Sequence, residues 1–506
     1  MKQRIRTARM ERPISETRWL RPEGCRGTSG CFNSARRFGV SLYQLTGRRF
    51  SMTGRGFKTT QCEVAMKRRT FIGAASAAAA GWSCASASPV VNATPEAPSV
   101  TDGGMLAGKT LDKLREEHRY WLFDDYLSFH DRFCVDREFG GFTTSLDRDG
   151  TKINTNKNAW FEGRGIWVMS YLYNSVRNDP DYVNVARMSV DFIMKHNPLG
   201  PELLPSQFTR EGEPLTGPAQ IFYGDMFVAN GLQEFSQASG EDQYWDMAKK
   251  IILKCLDIYD HRPNYGNLPK TETSPEVVSP RKLGHWFVLL RSTTQMLEKR
   301  DDPELKAIND RAVEAVMDYH YNPAYDLINE NINHDMSRIE SAHGQLVVGH
   351  APETLWMVLF EALRRKDKAL FDRAADLLRR HIEVMWDDVY GGLMLGITHV
   401  DKSVWNTGKA LWLQEEILIG TMCVIEHTGA QWAKGWFSKM YTYILEKFPL
   451  RQYGHPLWIL YADRFVTYRE HTSRLGNFHH PRQLMINMNA LDRMIERGGK
   501  VSGHFG

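Results

Sequence analysis

Leu111-Asp112-Lys113-Leu114-Arg115-Glu116-Glu117-His118-Arg119-Tyr120-Trp121-Leu122-Phe123-Asp124-Asp125-Tyr126-Leu127-Ser128-Phe129 sets the reading of the chain. Leu111, Leu114, His118, Trp121, Leu122, Tyr126 and Phe129 recur every three or four residues, which places them on one face of a helix. Similar stretches follow at residues 160–176, 181–195, 219–238, 242–259, 284–299, 303–319, 350–365, 367–384, 408–428, 430–447, 454–469 and 481–496. Each is long enough for a helix rather than a strand. Strand signals are short, at Gly141–Asp147 and Gly391–His399. There is no strand–helix alternation and no Gly-x-Gly-x-x-Gly, which excludes a dinucleotide-binding fold.

An internal echo sharpens the fold. Phe139-Gly140-Gly141-Phe142 precedes Leu146-Asp147-Arg148-Asp149-Gly150, and Tyr390-Gly391-Gly392-Leu393 precedes a second short polar hairpin. Each is followed by an aromatic-rich helix, at Trp160-Phe161-Glu162-Gly163-Arg164 and at Lys409-Ala410-Leu411-Trp412. Paired helices with a long-period echo predict an all-α fold, an (α/α)6 barrel of six helical hairpins with short β-hairpin loops, over residues 109–497. Inward residues and the loops at one end of such a ring would line a pocket. The 14 Trp and 19 Tyr suit sugar binding, because aromatic faces stack on the C–H faces of pyranoses; they suit an apolar core equally.

Charge is unevenly distributed. Residues 1–65 carry 14 Lys/Arg against 4 Asp/Glu, so the remaining 441 residues are net acidic by 6 although the whole chain is at +4. The body therefore offers no case for a nucleic-acid partner. No uncharged apolar run reaches the roughly 18 residues a membrane span needs. The seven cysteines show neither a Cys-x-x-Cys nor a pairing rhythm, so neither a disulfide framework nor a zinc site is expected. Residues 1–65 read as a disordered basic extension, upstream of a start at Met66, or as a transit-like or nucleic-acid-binding arm. Met66-Lys67-Arg68-Arg69-Thr70-Phe71-Ile72 and the Ala-rich stretch after it read as a twin-arginine signal over 66–87, with an N-terminal helix as the alternative. Use of that signal would place the protein in an exported, periplasmic location; otherwise it would be cytoplasmic. Residues 88–108 read as a linker and 498–506 as a disordered tail.

Four constellations could carry chemistry. His350-Ala351-Pro352-Glu353 opens a helix, with His350 and Glu353 on one face. The positive end of a helix favours neutral imidazole, as a general base requires, although a capped structural histidine fits as well. Gly476-Asn477-Phe478-His479-His480-Pro481-Arg482 puts two histidines on a loop entering the last helix, pointing different ways. Lys409, Trp412, Gln414 and Glu416 begin an apolar helix, where Lys409, Trp412 and Glu416 would share a face. Arg164, apolar on either side, needs a ligand or a glutamate partner, since burying it unpaired is prohibitive.

Taken together these stretches resemble the N-acylglucosamine 2-epimerase family, whose relatives include renin-binding protein, cellobiose 2-epimerases and aldose–ketose isomerases. The resemblance covers roughly residues 110–495. It is carried by Gly140-Gly141-Phe142 through Trp160-x-x-Gly163-Arg164-x-x-Trp167, by Gly349-His350-Ala351-Pro352-Glu353-Thr354-Leu355-Trp356, by Tyr390-Gly391-Gly392 through Lys409-x-x-Trp412-x-Gln414-x-Glu416, and by Phe478-His479-His480-Pro481-Arg482. It implies the six-hairpin α/α barrel and removal of the proton beside the carbonyl of a ring-opened sugar. In that scheme His350 and His479 are the catalytic acid and base, and Glu416 and Arg164 orient them and the substrate oxygens. Trp160, Glu353, Trp356, Lys409, Trp412, Gln414 and His285 are implied substrate-binding positions. No metal or organic cofactor is implied, the partner is a small sugar, and a homodimer is an expected assembly. Pro352 and His480 depart from the usual pattern. No glycine-rich nucleotide loop is present. Two other readings stay open: a glycoside hydrolase or polysaccharide lyase, with carboxylates drawn from Glu416, Glu353 and Asp225, and a non-catalytic sugar- or protein-binding relative.

Overall fold

The structure is a computed structural model that describes residues 98–462 and 476–505. The expected basic extension, the twin-arginine segment and residues 88–97 of the expected linker lie outside the described residues. Among those described, twelve helical segments follow in order: α1 (Leu111–Arg119, continued by a π-helical stretch Tyr120–Leu127 into Ser128–Phe133), α2 (Ala159–Ser175), α3 (Pro180–Met194), α4 (Tyr223–Ser239), α5 (Gln243–His261), α6 (Leu283–Lys299), α7 (Pro303–Glu314, continued by Ala315–Tyr319), α8 (His350–Arg365), α9 (Lys368–Met385), α10 (Leu411–Thr428), α11 (Gln431–Lys447) and α12 (His479–Glu496).

Packing sorts them into two rings. Helices α2, α4, α6, α8, α10 and α12 contact one another in that order, and α12 returns to α2; each also packs against one outer helix, with α1 on α12. This is the six-hairpin barrel. Inner helices are buried all round, as over Leu283–Leu297, whereas an outer helix such as α9 buries one face through Phe371, Ala374, Leu378, Ile382 and Met385. Asp179 and Asp302 cap α3 and α7, each followed by a proline in the first turn, and Gly240 and Gly429 end α4 and α10 in the left-handed region. Gly163 and Gly231 let α2 and α4 touch backbone to backbone: a Cβ on Gly163 would overlap the Phe227–Val228 peptide.

The strands are short anchors. Lys157–Asn158 pairs with Gln207–Phe208, Arg281–Lys282 with Asn331–Ile332, Val347–Val348 with Gly396–His399, and Lys409–Ala410 with Ile459–Leu460, all antiparallel. In each case the strand just before an inner helix is tied to the next long loop, which fixes that helix's N-terminal end. Three expectations change here. Residues 454–462 are not helical, because Ile459–Leu460 is the partner of Lys409–Ala410. Gly141–Asp147 forms only isolated bridges, Val135 with Phe142 and Leu146 with Lys152. His479 and His480 open α12 rather than preceding it.

The expected linker and tail are also corrected where they are described. Val100 N–H donates to the Gly499 carbonyl (2.9 Å), Val501 N–H to Pro98 (3.1 Å) and Ser502 N–H to Glu426 (2.9 Å). Phe505 packs on Phe371, with ring centroids 5.1 Å apart. The two ends of the described chain strap each other across the barrel.

Candidate active site

A cavity of about 590 Å³ opens at the N-terminal ends of the inner helices. Each inner helix supplies it from its first turns: Trp160 and Arg164 from α2, Tyr223 from α4, Phe287 from α6, His350 and Glu353 from α8, Trp412 from α10 and His479 from α12. Thr144, Ser145, Trp458 and Asn477 come from the loops. Six helix N-termini converge on one space, and each carries partial positive charge. The field there favours developing negative charge.

His479 is the more buried of the two cavity histidines. Its Nδ1 is 2.7 Å from Glu416 Oε1, so the ring donates Nδ1–H to the carboxylate and Nε2 is its unprotonated nitrogen. Glu416 also accepts Nε1–H from Trp356 (2.7 Å) and an N–H from Arg482. Arg482 bridges to Glu353 at 2.8 Å, so one guanidinium holds both carboxylates. Burial, then the charges of Arg164, Arg482 and His350 against the opposing pull of Glu353, hold the His479 pKa well below its ordinary value. That shift favours the neutral imidazole.

His350 also neighbours Trp412, whose ring centroid is 6.0 Å from His350 and 5.4 Å from His479. Its Nδ1 is 3.1 and 3.2 Å from the two oxygens of Glu330. Burial pulls its pKa down, but the charge and hydrogen bond of Glu330, with the charge of Glu353, outweigh burial and raise it. The helix end disfavours imidazolium, as the sequence suggests, but the Glu330 carboxylate, delivered by the loop before α8, acts in the opposite direction.

Arg164 is 8% exposed and has no ion pair among the described residues, so the expected alternative of a structural glutamate partner does not apply. Its guanidinium is caged by Phe227 (4.2 Å), Trp160 (4.7 Å) and Phe478 (4.7 Å), and its Nε finds no hydrogen-bond partner among the described residues. Burial lowers its pKa to about 9, so it stays cationic at neutral pH. It can offer donors to substrate oxygens.

The cavity thus brings together His350, His479, Arg164, Trp160, Glu353 and Trp412, with Glu416 behind His479. Other expected binding positions lie elsewhere. Lys409 is on a strand, not on the helix, so helical spacing does not align it with Trp412; it pairs with Asp387. Gln414 accepts Leu393 N–H (2.8 Å) and donates to the Leu393 carbonyl (3.0 Å). Trp356 supports Glu416 from below. His285 is fully buried among Phe222, Tyr223, Tyr259 and Tyr265, behind the cavity wall. The sequence reading gave no role to Arg482, Glu330, Tyr223 or Phe287. Glu330 had a signal: it is the lone charge within Leu327-Ile328-Asn329-Glu330-Asn331-Ile332.

The geometry bears on the alternatives. Glu353 and Glu416 are tied to one guanidinium, and Asp225 is paired with Lys254 (2.7 Å) and accepts Leu204 N–H (2.9 Å). Among the described residues that line the cavity Glu353 is the one carboxylate, whereas bond hydrolysis requires two. The cavity is also not filled by its own aromatics. Glu353, Glu416 and His479 place ligand atoms within 4.8 Å of one another, a spacing a metal ion could use, but Arg482 already supplies positive charge between the two carboxylates.

A family profile described as N-acylglucosamine 2-epimerase (GlcNAc 2-epimerase) matches residues 140–481. The N-acylglucosamine 2-epimerase of Bos taurus is 24% identical over 414 residues, covering 76% of this chain and 95% of that protein. A cellobiose 2-epimerase of Dictyoglomus turgidum is 22% identical over 278 residues, covering 51% of this chain and 67% of that protein. Among solved structures, cellobiose 2-epimerase from Spirochaeta thermophila shares the fold with a TM-score of 0.63 at 16% identity, covering 76% of this chain and 98% of that one. A D-mannose isomerase superimposes with a TM-score of 0.59 at 14% identity, covering 76% of this chain and 97% of that one.

Proposed function

Because the chain belongs to the N-acylglucosamine 2-epimerase family and is a sugar epimerase, an isomerase, we propose that it inverts carbon 2 of a ring-opened reducing sugar by proton transfer between His479 and His350. The observation that carries this reading is the pair of histidines in one cavity beside Trp412, each tied through Nδ1 to its own carboxylate, with their pKa values displaced in opposite directions. A proton beside a carbonyl is weakly acidic, so its removal needs a base of suitable pKa and stabilisation of the enolate oxygen. Nε2 of His479 takes the proton from one face. The planar enolate, an enediolate where carbon 2 carries a hydroxyl, is stabilised by Arg164 and by the convergent helix N-termini. His350, in its protonated form, returns a proton from the other side. The reverse reaction exchanges the two roles. Where carbon 2 carries a hydroxyl and the proton returns to carbon 1 instead, the product is a ketose.

The substrate proposed is of the N-acylglucosamine type, N-acetylglucosamine/N-acetylmannosamine or a related sugar. Incubation in D2O with N-acetylglucosamine, N-acetylmannosamine, glucose, mannose, fructose and cellobiose, followed by NMR, tests this. Deuterium arriving at carbon 2 of one pair supports the reading and names the substrate. Folded protein that labels none of them overturns it. The proposal extends to twin-arginine export from Met66 and to homodimerisation. Arg68-Arg69→Lys-Lys should block export, and unchanged export contradicts that part; a monomeric mass in light scattering contradicts the dimer.

A further inference from the structure

His479 and His480 are neighbours on α12, and Glu416 and Glu415 are neighbours on α10. Consecutive helix residues point about 100° apart, so each pair of neighbours faces two directions. His479 and Glu416 meet at the cavity. His480 and Glu415 meet on the side turned to the outer ring, where Nδ1 of His480 bonds to Glu415 Oε1. They are 3% and 2% exposed, and neither lines the cavity. The His480 ring centroid lies 4.9 Å from that of His455 and 6.1 Å from that of Tyr126, in the π-helical stretch that continues α1. Its Nε2 has no hydrogen-bond partner among the described residues, so Glu415 is the ring's polar anchor there. The reaction scheme gives this pair no part. A buried charge pair adds little net stability over apolar residues of the same size, so its use is better sought in the geometry it imposes.

That geometry is a register between two inner helices. The first turn of α12 has no side-chain cap, because Phe478 stands at the N-cap position without a capping bond. Asn477, just before it, ties the chain through the Phe161 carbonyl (2.6 Å) to α2 and not to α10. Arg482 reaches Glu416 and Glu353 on a long side chain that can follow either carboxylate if the helix turns. His480 and Glu415 are shorter and have less slack. One bond between two helices leaves rotation about that bond free. A second bond, from the adjacent residue on each helix and pointing another way, removes that freedom. A shift of α12 by about 1 Å would carry His479 Nδ1 off Glu416, and misplacement on that scale is enough to cost a catalytic group much of its rate.

We propose that His480 and Glu415 are positioning residues, a second histidine–carboxylate pair that fixes α12 against α10 in the register where His479 meets Glu416. The proposal rests on the epimerase reading for the importance of His479, but the register itself can be read without a substrate.

The test is NMR of the full chain with isotope-labelled histidine, following the Nδ1–H resonance of His479, identified by its loss in His479→Ala. A ring N–H held by a carboxylate lies far downfield and is protected from exchange with water. His480→Leu combined with Glu415→Met removes the second pair and leaves no buried charge unpaired. The His479 resonance should then vanish or move upfield, kcat should fall between about tenfold and a hundredfold, and KM should stay within about twofold. His480→Asn places an amide N–H where Nδ1 stood and should keep both the resonance and kcat. His480→Gln holds its amide one bond further out and should lose both. Should the double variant not fold, the contrast between His480→Asn and His480→Gln carries the test. An unmoved His479 resonance in the double variant overturns the proposal. Equal effects of His480→Asn and His480→Gln also overturn it, because the place of the donor would then not matter. A wild-type chain that labels no sugar in D2O fails the epimerase reading, and the resonance then still decides the register.

Discussion

His350 and His479 are built alike and poised oppositely. Each opens an inner helix, each holds a carboxylate through Nδ1, and each lines the same cavity beside Trp412. The difference lies in the rest of the surroundings. Glu416 is shared with Arg482 and Trp356, and burial, then the charge of Arg164, lead in holding the His479 pKa down. Glu330, which among the described residues makes no ion pair but the one with His350, raises the His350 pKa against burial and against the same Arg164. The same imidazole–carboxylate bond is therefore found on one histidine whose pKa is lowered and on one whose pKa is raised, the ordering that a base and an acid need.

The comparison breaks first at the histidines. His479→Ala and His350→Ala should each lower kcat by about three to four orders of magnitude, near the upper range for general acid–base groups, while circular dichroism stays native. Wild-type rates in either variant would end the two-base account. Arg164→Met comes next, with kcat/KM expected to fall by about two orders of magnitude, as for loss of one oxyanion donor. Glu330→Gln should cost about tenfold and has a directional signature. Without that carboxylate the His350 pKa falls, so the alkaline limb of the pH–rate profile, where His350 must be protonated, moves to lower pH. The acid limb, set by protonation of His479, should stay in place. If both limbs move, the stations are not independent. The smallest effect is expected from Trp412→Phe, which keeps a ring beside both histidines and should change kcat/KM by a few-fold.

Much of the barrel was legible because inner and outer helices leave different marks. The amphipathic period of α9 and the continuous apolar run of α10 are both readable, and the Gly-Gly echo marked equivalent corners. That echo also explains an error. Asp136 accepts from Glu138 and Phe139 N–H and pairs with Lys157; Asp387 accepts from Val389 and Tyr390 N–H and pairs with Lys409. Glu162 accepts Phe142 N–H as Gln414 accepts Leu393 N–H. Lys409 and Gln414 are thus parts of a repeated corner brace, and their position in a motif made them look like pocket residues. Glu330 and Arg482 were harder to read. Their roles depend on contacts across 20 residues from a loop and across 66 residues between helices, and local spacing reports neither.

The most direct test of the two-station account uses the variants one at a time. In D2O, NMR would follow the carbon-2 proton of each epimer of the substrate pair with His479→Ala and with His350→Ala. Two bases on opposite faces predict that each variant still exchanges that proton in one epimer, a different one in each case, and interconverts neither pair. Exchange of both epimers by a single variant would mean that one base serves both faces, and would contradict the account.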